Sequence, residues 1–183
     1  MSEPLERYRP YLELLARTRV DPRHQAKLDT SDIVQQTLLQ AHQGWNGYRG
    51  TTEAELMGWL RSILARNLAH FYRDFGREKR DIAREQPMHA QLDQSSTRLE
   101  AWLVSQESSP SQRAIRNEDF SRLFTALSRL NDAQRTAVEL HYWHGWTIAE
   151  IGAHLNRSPS AVAGLLHRGL AVLRVELQRG SSH

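Results

Sequence analysis

Apolar residues recur along this chain at the three- and four-residue intervals of α-helices in almost every segment that shows a period. In the first half, the pattern predicts helices over Tyr8 to Arg19, Asp29 to Trp45 and Glu53 to Tyr72, and a further short helix over Arg77 to Glu85. No segment shows the alternation of apolar and polar residues that is typical of β-strands. The predicted fold class is therefore all-α.

The strongest local signal is a helix-turn-helix pattern between Trp146 and Leu173. Thr147 and Glu150 form a capping box that starts the first helix, while Ser158 and Pro159 are typical opening residues of the second. The positions of the second helix predicted to face the core are Val162, Leu165, Leu166, Gly169, Leu170, Leu173 and Leu177. The residues predicted to face outward are small or basic, as in helices that enter the DNA major groove: Ser160, Ala161, Ala163, Gly164, His167, Arg168 and Ala171. An ordinary helical hairpin is the plainer alternative.

A change of composition divides the chain into two predicted domains. Residues 86–112 are rich in serine, and we interpret them as a linker between a domain at 8–85 and a helix-turn-helix domain at 113–178. The linker contains one further capping-box pattern, which predicts a short helix from Thr97 onward. The predicted architecture is thus two small helical domains joined by a linker.

Charge and composition limit the kinds of partner that these domains can bind. The net charge of the 183 residues is only +3, but arginine and lysine concentrate between Arg61 and Arg84 and again in the last helix. Two basic regions suggest two contacts with one long polyanion. The chain has no cysteine, which excludes disulfides and thiolate metal sites. Because it shows neither a membrane-length apolar run nor a signal-peptide core, we expect a cytoplasmic protein.

Aromatic and basic residues alternate between Asn67 and Arg80, around the glycine at position 76. Such a surface suits single-stranded or opened DNA, because cations bind phosphates and flat side chains receive unstacked bases. The register of Phe71 with the preceding leucines favours a core position for that residue. For Phe75, a core position and a DNA-binding position are equally compatible with the sequence.

Two sets of motifs, in the right order, resemble a bacterial sigma-70 family RNA polymerase sigma factor. Asp32-Ile-Val-Gln-Gln-Thr-Leu, Trp59-Leu-x-x-Ile-Leu-x-x-Asn and the basic run from Arg73 to Arg84 resemble its domain two. Leu130-Asn-x-x-Gln-Arg-x-Ala-Val-Glu-Leu-x-Tyr and the segment Trp146 to Arg174 resemble its domain four. With only a linker between them, the two domains resemble the extracytoplasmic function (ECF) group, and the run that begins at Ala161 resembles its planctomycete-type members.

The resemblance implies a function and three sets of site residues. Such a protein directs core RNA polymerase to promoters and assists DNA opening. The residues implied to dock on the coiled-coil clamp of the polymerase β′ subunit are Asp32, Gln35 and Gln36. Those implied at the minus-ten element and the opened strand are Arg61, Asn67, His70, Arg73, Phe75, Arg77, Lys79 and Arg80. Those implied at the minus-thirty-five element are Arg157, Ser158, Ser160, Ala161, Gly164, His167 and Arg168.

The implied partners are core polymerase, through its β′ clamp and β flap, and promoter DNA, with an anti-sigma factor as a further candidate. No cofactor, metal or catalytic residue is implied. The chain departs from many relatives in the middle of the recognition helix, where Ala163, Gly164 and Leu165 replace hydrogen-bond donors. The minus-thirty-five sequence therefore cannot be inferred, and readout could shift toward DNA shape.

Two other functions are compatible with parts of the sequence. A stand-alone helix-turn-helix regulator would explain the C-terminal domain but would leave the Asp32 helix and the basic run without a role. A metal hydrolase could use His141 and His144, but the chain has no His-Glu-x-x-His motif, no glycine-rich phosphate loop and no ordered Ser/His/Asp set. We therefore expect a non-enzymatic protein.

Overall fold

The fold is described from a computed structural model, which defines residues 3–20, 29–76, 88–106 and 117–179. The helices are α1 (Glu3–Glu6), α2 (Arg9–Arg19), α3 (Thr30–Gly44), α4 (Glu53–Gly76), α5 (Met88–Gln106), α6 (Asn117–Ser128), α7 (Asp132–Val138), α8 (Ile148–Leu155) and α9 (Pro159–Arg179). No strand occurs in these ranges, so the predicted all-α class is confirmed. The chain divides into two compact units, Met1–Thr97 and Arg98–His183, called unit 1 and unit 2 below.

Unit 1 is built around the long helix α4, against which α2 and α3 pack. The predicted apolar stripes are buried where the helices meet. The residues that form this core include Tyr11, Leu12, Leu15, Val34, Leu38, Leu60, Leu64 and Leu68. The apolar side of α3 is buried in this core, and the opposite side of that helix is left to solvent.

Two helices of unit 1 have bounds that differ slightly from the sequence prediction. The helix predicted from Asp29 to Trp45 is Thr30–Gly44 in the structure, and the one predicted from Glu53 ends later. Asp29 caps α3, with its carboxylate accepting a hydrogen bond from the Ser31 backbone N–H at 2.9 Å. Helix α4 continues to Gly76, one turn beyond the predicted end at Tyr72. A glycine at the last position of a helix costs little helix stability, because few hydrogen bonds continue past it.

Helix α5 begins at Met88, nine residues before the helix predicted from Thr97. Its buried positions follow a helical period and combine leucines with two small residues, Ser95 and Ser96. These serines made the segment resemble a linker in composition, although they lie on the packed side of a helix. The boundary between the units follows Thr97, inside the predicted linker 86–112. The domain limits themselves stay a prediction.

Unit 2 packs α9 against α6, α7 and α8. Asn131 caps α7 in a reciprocal capping box with Gln134. Between α7 and α8 the chain makes one π-helical turn, Glu139–Trp143, followed by Gly145 at a φ of +71°. A left-handed backbone of this kind suits glycine, and it directs the chain into the helix-turn-helix.

Candidate polymerase and DNA interfaces

The capping box that opens α8 forms as the sequence predicts. The Thr147 backbone N–H donates to Glu150 Oε2 at 2.7 Å, and the Glu150 backbone N–H donates to Thr147 Oγ1 at 3.2 Å. The Thr147 backbone N–H and, at 2.8 Å, the Thr147 hydroxyl both donate to the Glu150 carboxylate, and these hydrogen bonds hold the pKa of that carboxyl below its usual range. The first helix of the motif therefore has a fixed starting point.

The turn between α8 and α9 is short and tightly packed. Asn156 adopts a left-handed backbone with φ 53°, and the Arg157 N–H donates to the Gly152 carbonyl at 2.9 Å. A Cβ at Gly152 would lie only 2.7 Å from the Arg157 carbonyl oxygen. Ser158 then caps α9, accepting from the Ala161 N–H at 3.2 Å. Glycine at 152 thus allows the turn that sets the start of α9.

Helix α9 presents the outward side predicted for a recognition helix. Val162, Leu165, Leu166, Gly169 and Leu173 are buried, as predicted, whereas Leu170 and Leu177 are half-buried. The candidate DNA-contacting residues that are exposed are Arg157, Ser158, Ser160, His167 and Arg168, and the half-buried ones are Ala161 and Gly164. Two of the exposed candidates carry a positive charge, Arg157 in the turn before α9 and Arg168 in the middle of α9.

Gly164 lies beneath the side chain of Arg168, one helical turn later. A Cβ at Gly164 would meet the Arg168 guanidinium nitrogen Nη1 at 3.2 Å, which is the movable end of a long side chain. The helix backbone around Gly164 therefore has room for a methyl group, in contrast to the turn at Gly152.

This contrast predicts opposite effects for the same change at the two glycines. We expect Gly152→Ala to lower the free energy of unfolding by about 1–3 kcal/mol, because the methyl group would press on a backbone oxygen. Gly164→Ala should raise it by about 0.5–1 kcal/mol through helix propensity. Chemical denaturation of both variants measures the difference. Equal losses at both positions would contradict the assignment of the tight contact to the turn.

Helix α3 presents a polar stripe with one exposed leucine. Asp32, Gln35 and Gln36, the candidate polymerase-binding residues, are all exposed. Gln35 Oε1 accepts a hydrogen bond from Arg9 Nη2 at 2.6 Å, so that its amide is already partly engaged. Leu39 is 48% exposed and lies seven residues after Asp32, on the same side of the helix. Sequence reasoning missed Leu39, although its seven-residue spacing from Asp32 was a readable signal.

The candidate minus-ten residues on α4 separate into two groups. His70 and Arg73 are exposed, and Arg66 joins them at helical spacing to form an exposed basic stripe, defined here as Arg66, His70 and Arg73. Arg66 lies within the basic region of the sequence but is not among the site residues that the family resemblance implies. Arg61 and Asn67 are half-buried and bonded to other helices of unit 1.

The second group makes contacts within the protein. Asn67 Nδ2 donates to Thr37 Oγ1 at 3.0 Å, joining α4 to α3. Arg61 Nε lies 2.8 Å from Asp93 Oδ1, joining α4 to α5. Phe71 is half-buried, in partial agreement with its predicted core position. Phe75 lies in the last turn of α4, within the helix rather than in a break.

The last three basic candidates, Arg77, Lys79 and Arg80, lie outside the described residues, as does the helix predicted over 77–85. The structure therefore brings together only the part of the basic run that belongs to α4. The loop between α3 and α4 adds an aromatic group that the sequence reasoning did not single out. Trp45 stacks on Tyr48 with ring centroids 5.5 Å apart, and Tyr48 lies 4.8 Å from Trp59.

One of the two histidines considered as metal ligands, His141, forms a hydrogen bond close by in the chain. His141 Nδ1 lies 2.9 Å from the Trp146 carbonyl oxygen, which can only accept, so this nitrogen carries the proton. In the part of the chain that the structure describes, no three His, Cys, Asp or Glu side chains come together as a metal site would require. None of the described helices combines the length and the apolar character needed to cross a membrane.

The fold and these surfaces define a two-unit helical protein whose second unit is a helix-turn-helix domain. Residues 120–173 match the family described as Sigma-70, region 4. The chain is 30% identical over 149 residues to the ECF RNA polymerase sigma factor SigL of Mycobacterium tuberculosis, covering 80% of this chain and 73% of that one. The chain belongs to the ECF RNA polymerase sigma factors.

Two more distant relatives carry names of the same kind. The ECF RNA polymerase sigma factor SigX of Bacillus subtilis is 26% identical over 152 residues, covering 83% of this chain and 72% of that one. The RNA polymerase sigma-E factor of Streptomyces avermitilis is 26% identical over 151 residues, covering 82% and 72%. The similarity therefore extends well beyond the helix-turn-helix unit, and the predicted family is confirmed.

Proposed function

We propose that this sigma factor binds core RNA polymerase through α3 and promoter DNA through α4 and α9. One observation carries the proposal: the same chain exposes three surfaces of different character. They are an uncharged or acidic stripe on α3, the basic stripe of α4 and the outward side of α9. A DNA-binding protein needs cations where it meets phosphates, and a protein-docking helix needs an uncharged or complementary face. The protein acts by binding and contributes no catalytic step.

The polymerase contact is proposed on the α3 stripe formed by Asp32, Gln36 and Leu39, with Gln35 at its edge. An exposed leucine surrounded by polar residues resembles the centre of a protein interface, where an apolar side chain is desolvated inside a polar rim. The clamp of the β′ subunit is the partner proposed for this stripe, and the β flap is proposed to bind unit 2. An anti-sigma factor stays a prediction.

The minus-ten contact is proposed on the basic stripe, continued by Phe75, Arg77, Lys79 and Arg80. Arginines along one helix face can neutralise successive phosphates of an opened strand. Capturing a flipped base costs a few kcal/mol of unstacking energy, and binding in a pocket repays it. Strand opening by this surface therefore requires no nucleotide hydrolysis.

The minus-thirty-five contact is proposed on the outward side of α9 and the turn before it. Arg157 and Arg168 would anchor on phosphates, while Ser158, Ser160 and His167 can reach base edges or the backbone. Ala161 and Gly164 offer no side-chain donor, so this part of the helix would read DNA shape or the thymine methyl group.

Co-elution with core polymerase tests the proposal directly. The purified chain is mixed with core RNA polymerase from the source or a close relative and separated by size-exclusion chromatography. We expect a one-to-one complex, and we expect the free chain to bind duplex promoter DNA weakly. Absence of a complex with cognate core, together with tight duplex binding by the free chain, would instead indicate a stand-alone helix-turn-helix regulator.

A further inference from the structure

We propose that Arg61 is a positioning residue that clasps the first half of α5 onto unit 1, and that it makes no contact with promoter DNA. The clasp is defined here as Arg61, Asp93, Tyr11 and Ser96. The proposal rests on the proposed function, because it removes one residue from the minus-ten surface and gives that residue a different task.

The guanidinium of Arg61 is held by two partners from two other helices. Its Nε donates to Asp93 Oδ1 at 2.8 Å, and its Nη1 donates to the Tyr11 hydroxyl oxygen at 2.7 Å. The Arg61 side chain is only 20% exposed. Because both hydrogen bonds involve a charged donor, each is stronger than a neutral one, and breaking them to reach a phosphate would be costly.

The clasp continues into the core of the unit. Tyr11 is fully buried, and its hydroxyl lies 3.2 Å from Ser96 Oγ, which belongs to the next turn of α5 after Asp93. A bonded chain therefore runs from Asp93 through Arg61 and Tyr11 to Ser96. It begins and ends on α5, so that the helix is held at two points one turn apart.

Two further contacts hold the same half of α5. Leu92 is fully buried, and Gln91 Oε1 accepts a hydrogen bond from Arg19 Nη1 at 3.3 Å. Apolar burial next to a satisfied polar network is the organisation of a core rather than of a loosely attached linker. The first half of α5 is thus part of the packed structure of unit 1, which extends to Thr97.

The direction of Arg61 on α4 agrees with this assignment. At about 100° per residue, Arg66, His70 and Arg73 fall within roughly 60° of one another around the helix. Arg61 precedes Arg66 by five residues and is therefore displaced by about 140° from that position. A strand that follows the basic stripe would pass along a different side of α4 from the one that carries Arg61.

Three roles for Arg61 give different experimental results. If Arg61 were a phosphate contact, its loss would lower the salt dependence of promoter binding. If Asp93 only shielded such a contact, neutralising Asp93 would strengthen promoter binding. If the two residues form a clasp, the loss of either should release the first half of α5 and leave the salt dependence of promoter binding unchanged. The position at which the chain leaves unit 1 would then be less well fixed.

The test uses the full chain with Arg61→Gln, Asp93→Asn and the reference variant Arg66→Gln. Amide hydrogen exchange of the free proteins is measured first, since it does not depend on the proposed function. We expect exchange in residues 91–97 to accelerate about tenfold or more in the first two variants, as the loss of a charge-assisted hydrogen bond implies, and to stay unchanged in Arg66→Gln. Unchanged protection in both clasp variants would overturn the proposal.

Promoter binding by the holoenzymes is then measured over a range of salt concentrations. Arg66→Gln should reduce the slope of log K against log salt by about 0.7, the value for one phosphate contact on a single strand. Arg61→Gln and Asp93→Asn should leave that slope unchanged. A reduced slope in Arg61→Gln, or stronger binding in Asp93→Asn, would overturn the clasp in favour of a direct or a shielded contact.

A positional role also predicts a change that simple destabilisation would not produce. Transcription is measured on promoters whose two elements are separated by different spacer lengths. We expect the clasp variants to tolerate a wider range of spacers than the wild-type holoenzyme, whereas Arg66→Gln should lower activity at every length. If hydrogen exchange shows that α5 is released but transcription depends on spacer length as it does in the wild type, the positional role is overturned. Asp93 is partly exposed, so Asp93→Asn keeps this test available if Arg61→Gln fails to fold.

Discussion

Arg substituted for Asp32 or for Leu39 is expected to weaken the binding of this sigma factor to core polymerase by roughly thirtyfold or more. Both residues lie on the exposed stripe of α3, and Leu39, at 48% exposure, is its largest apolar side chain. Truncating or charging the anchor of an interface costs about 2 kcal/mol or more, because a desolvated contact is lost and a charge must be buried. Competition between labelled wild-type and unlabelled variant sigma factor for core polymerase measures the affinity.

The matched control places the same residue on another exposed helix position of unit 1. Ala54→Arg on α4 adds one positive charge away from the α3 stripe, and Ala54 is exposed. It should bind core polymerase as the wild-type protein does. Gln35→Arg should have a smaller effect than Leu39→Arg, because the Gln35 amide already bonds to Arg9. Normal affinity of both Asp32→Arg and Leu39→Arg would discredit the assignment of the stripe to the clamp.

The features that the sequence predicted correctly depend on neighbours in the chain. Capping by Thr147 and Ser158 uses partners three residues away, and both caps form in the structure. The buried side of α3 follows from a period of 3.6 residues, which requires no knowledge of what packs against it. Such features are readable because local geometry alone determines them.

The features that the sequence did not predict depend on distant partners. Arg61 resembles a DNA contact when it is considered with the basic run, but Asp93 lies 32 residues away and receives its hydrogen bond. Asn67 is similarly engaged by Thr37, 30 residues earlier. Serine-rich composition suggested a linker where Ser95 and Ser96 are buried in a helix. Composition and period do not reveal which residue of a distant helix occupies a side chain.

Solvent exposure, more than charge, distinguishes the candidate residues that can contact DNA from those that are bonded within the protein. Arg61 and Arg66 are both arginines of α4, yet one is bonded within the unit and the other lies on the exposed stripe. The resemblance to sigma factors assigns a role to a segment, whereas the helical register and the contacts select the residues that can perform it. Arg66 is therefore the better candidate for a phosphate contact.

Glu substituted for both Arg66 and Arg73 is expected to abolish promoter opening while leaving polymerase binding intact. The two residues lie on the basic stripe of α4, and the proposed polymerase contact lies on α3. Neutralising two phosphate contacts alone would lower the salt-dependence slope by about 1.4, and charge reversal adds repulsion. Fluorescence of a base analogue placed in the minus-ten region reports strand opening, and co-elution reports polymerase binding.

Arg98→Glu is the matched control, because it makes the same charge change on an exposed residue of α5. Arg98→Glu should leave promoter opening at the wild-type level, whereas the single variant Arg66→Glu, which makes the same charge change, should reduce it. The triple change of Arg77, Lys79 and Arg80 to Glu should also abolish opening, if the stripe continues along the chain past Gly76. If opening failed only in the triple variant, the contact would lie beyond α4, and the stripe would have no part in it. If core binding fell together with opening in the double variant, the division of tasks between α3 and α4 would be wrong, because a residue that contacts only DNA cannot change the affinity for polymerase in the absence of DNA.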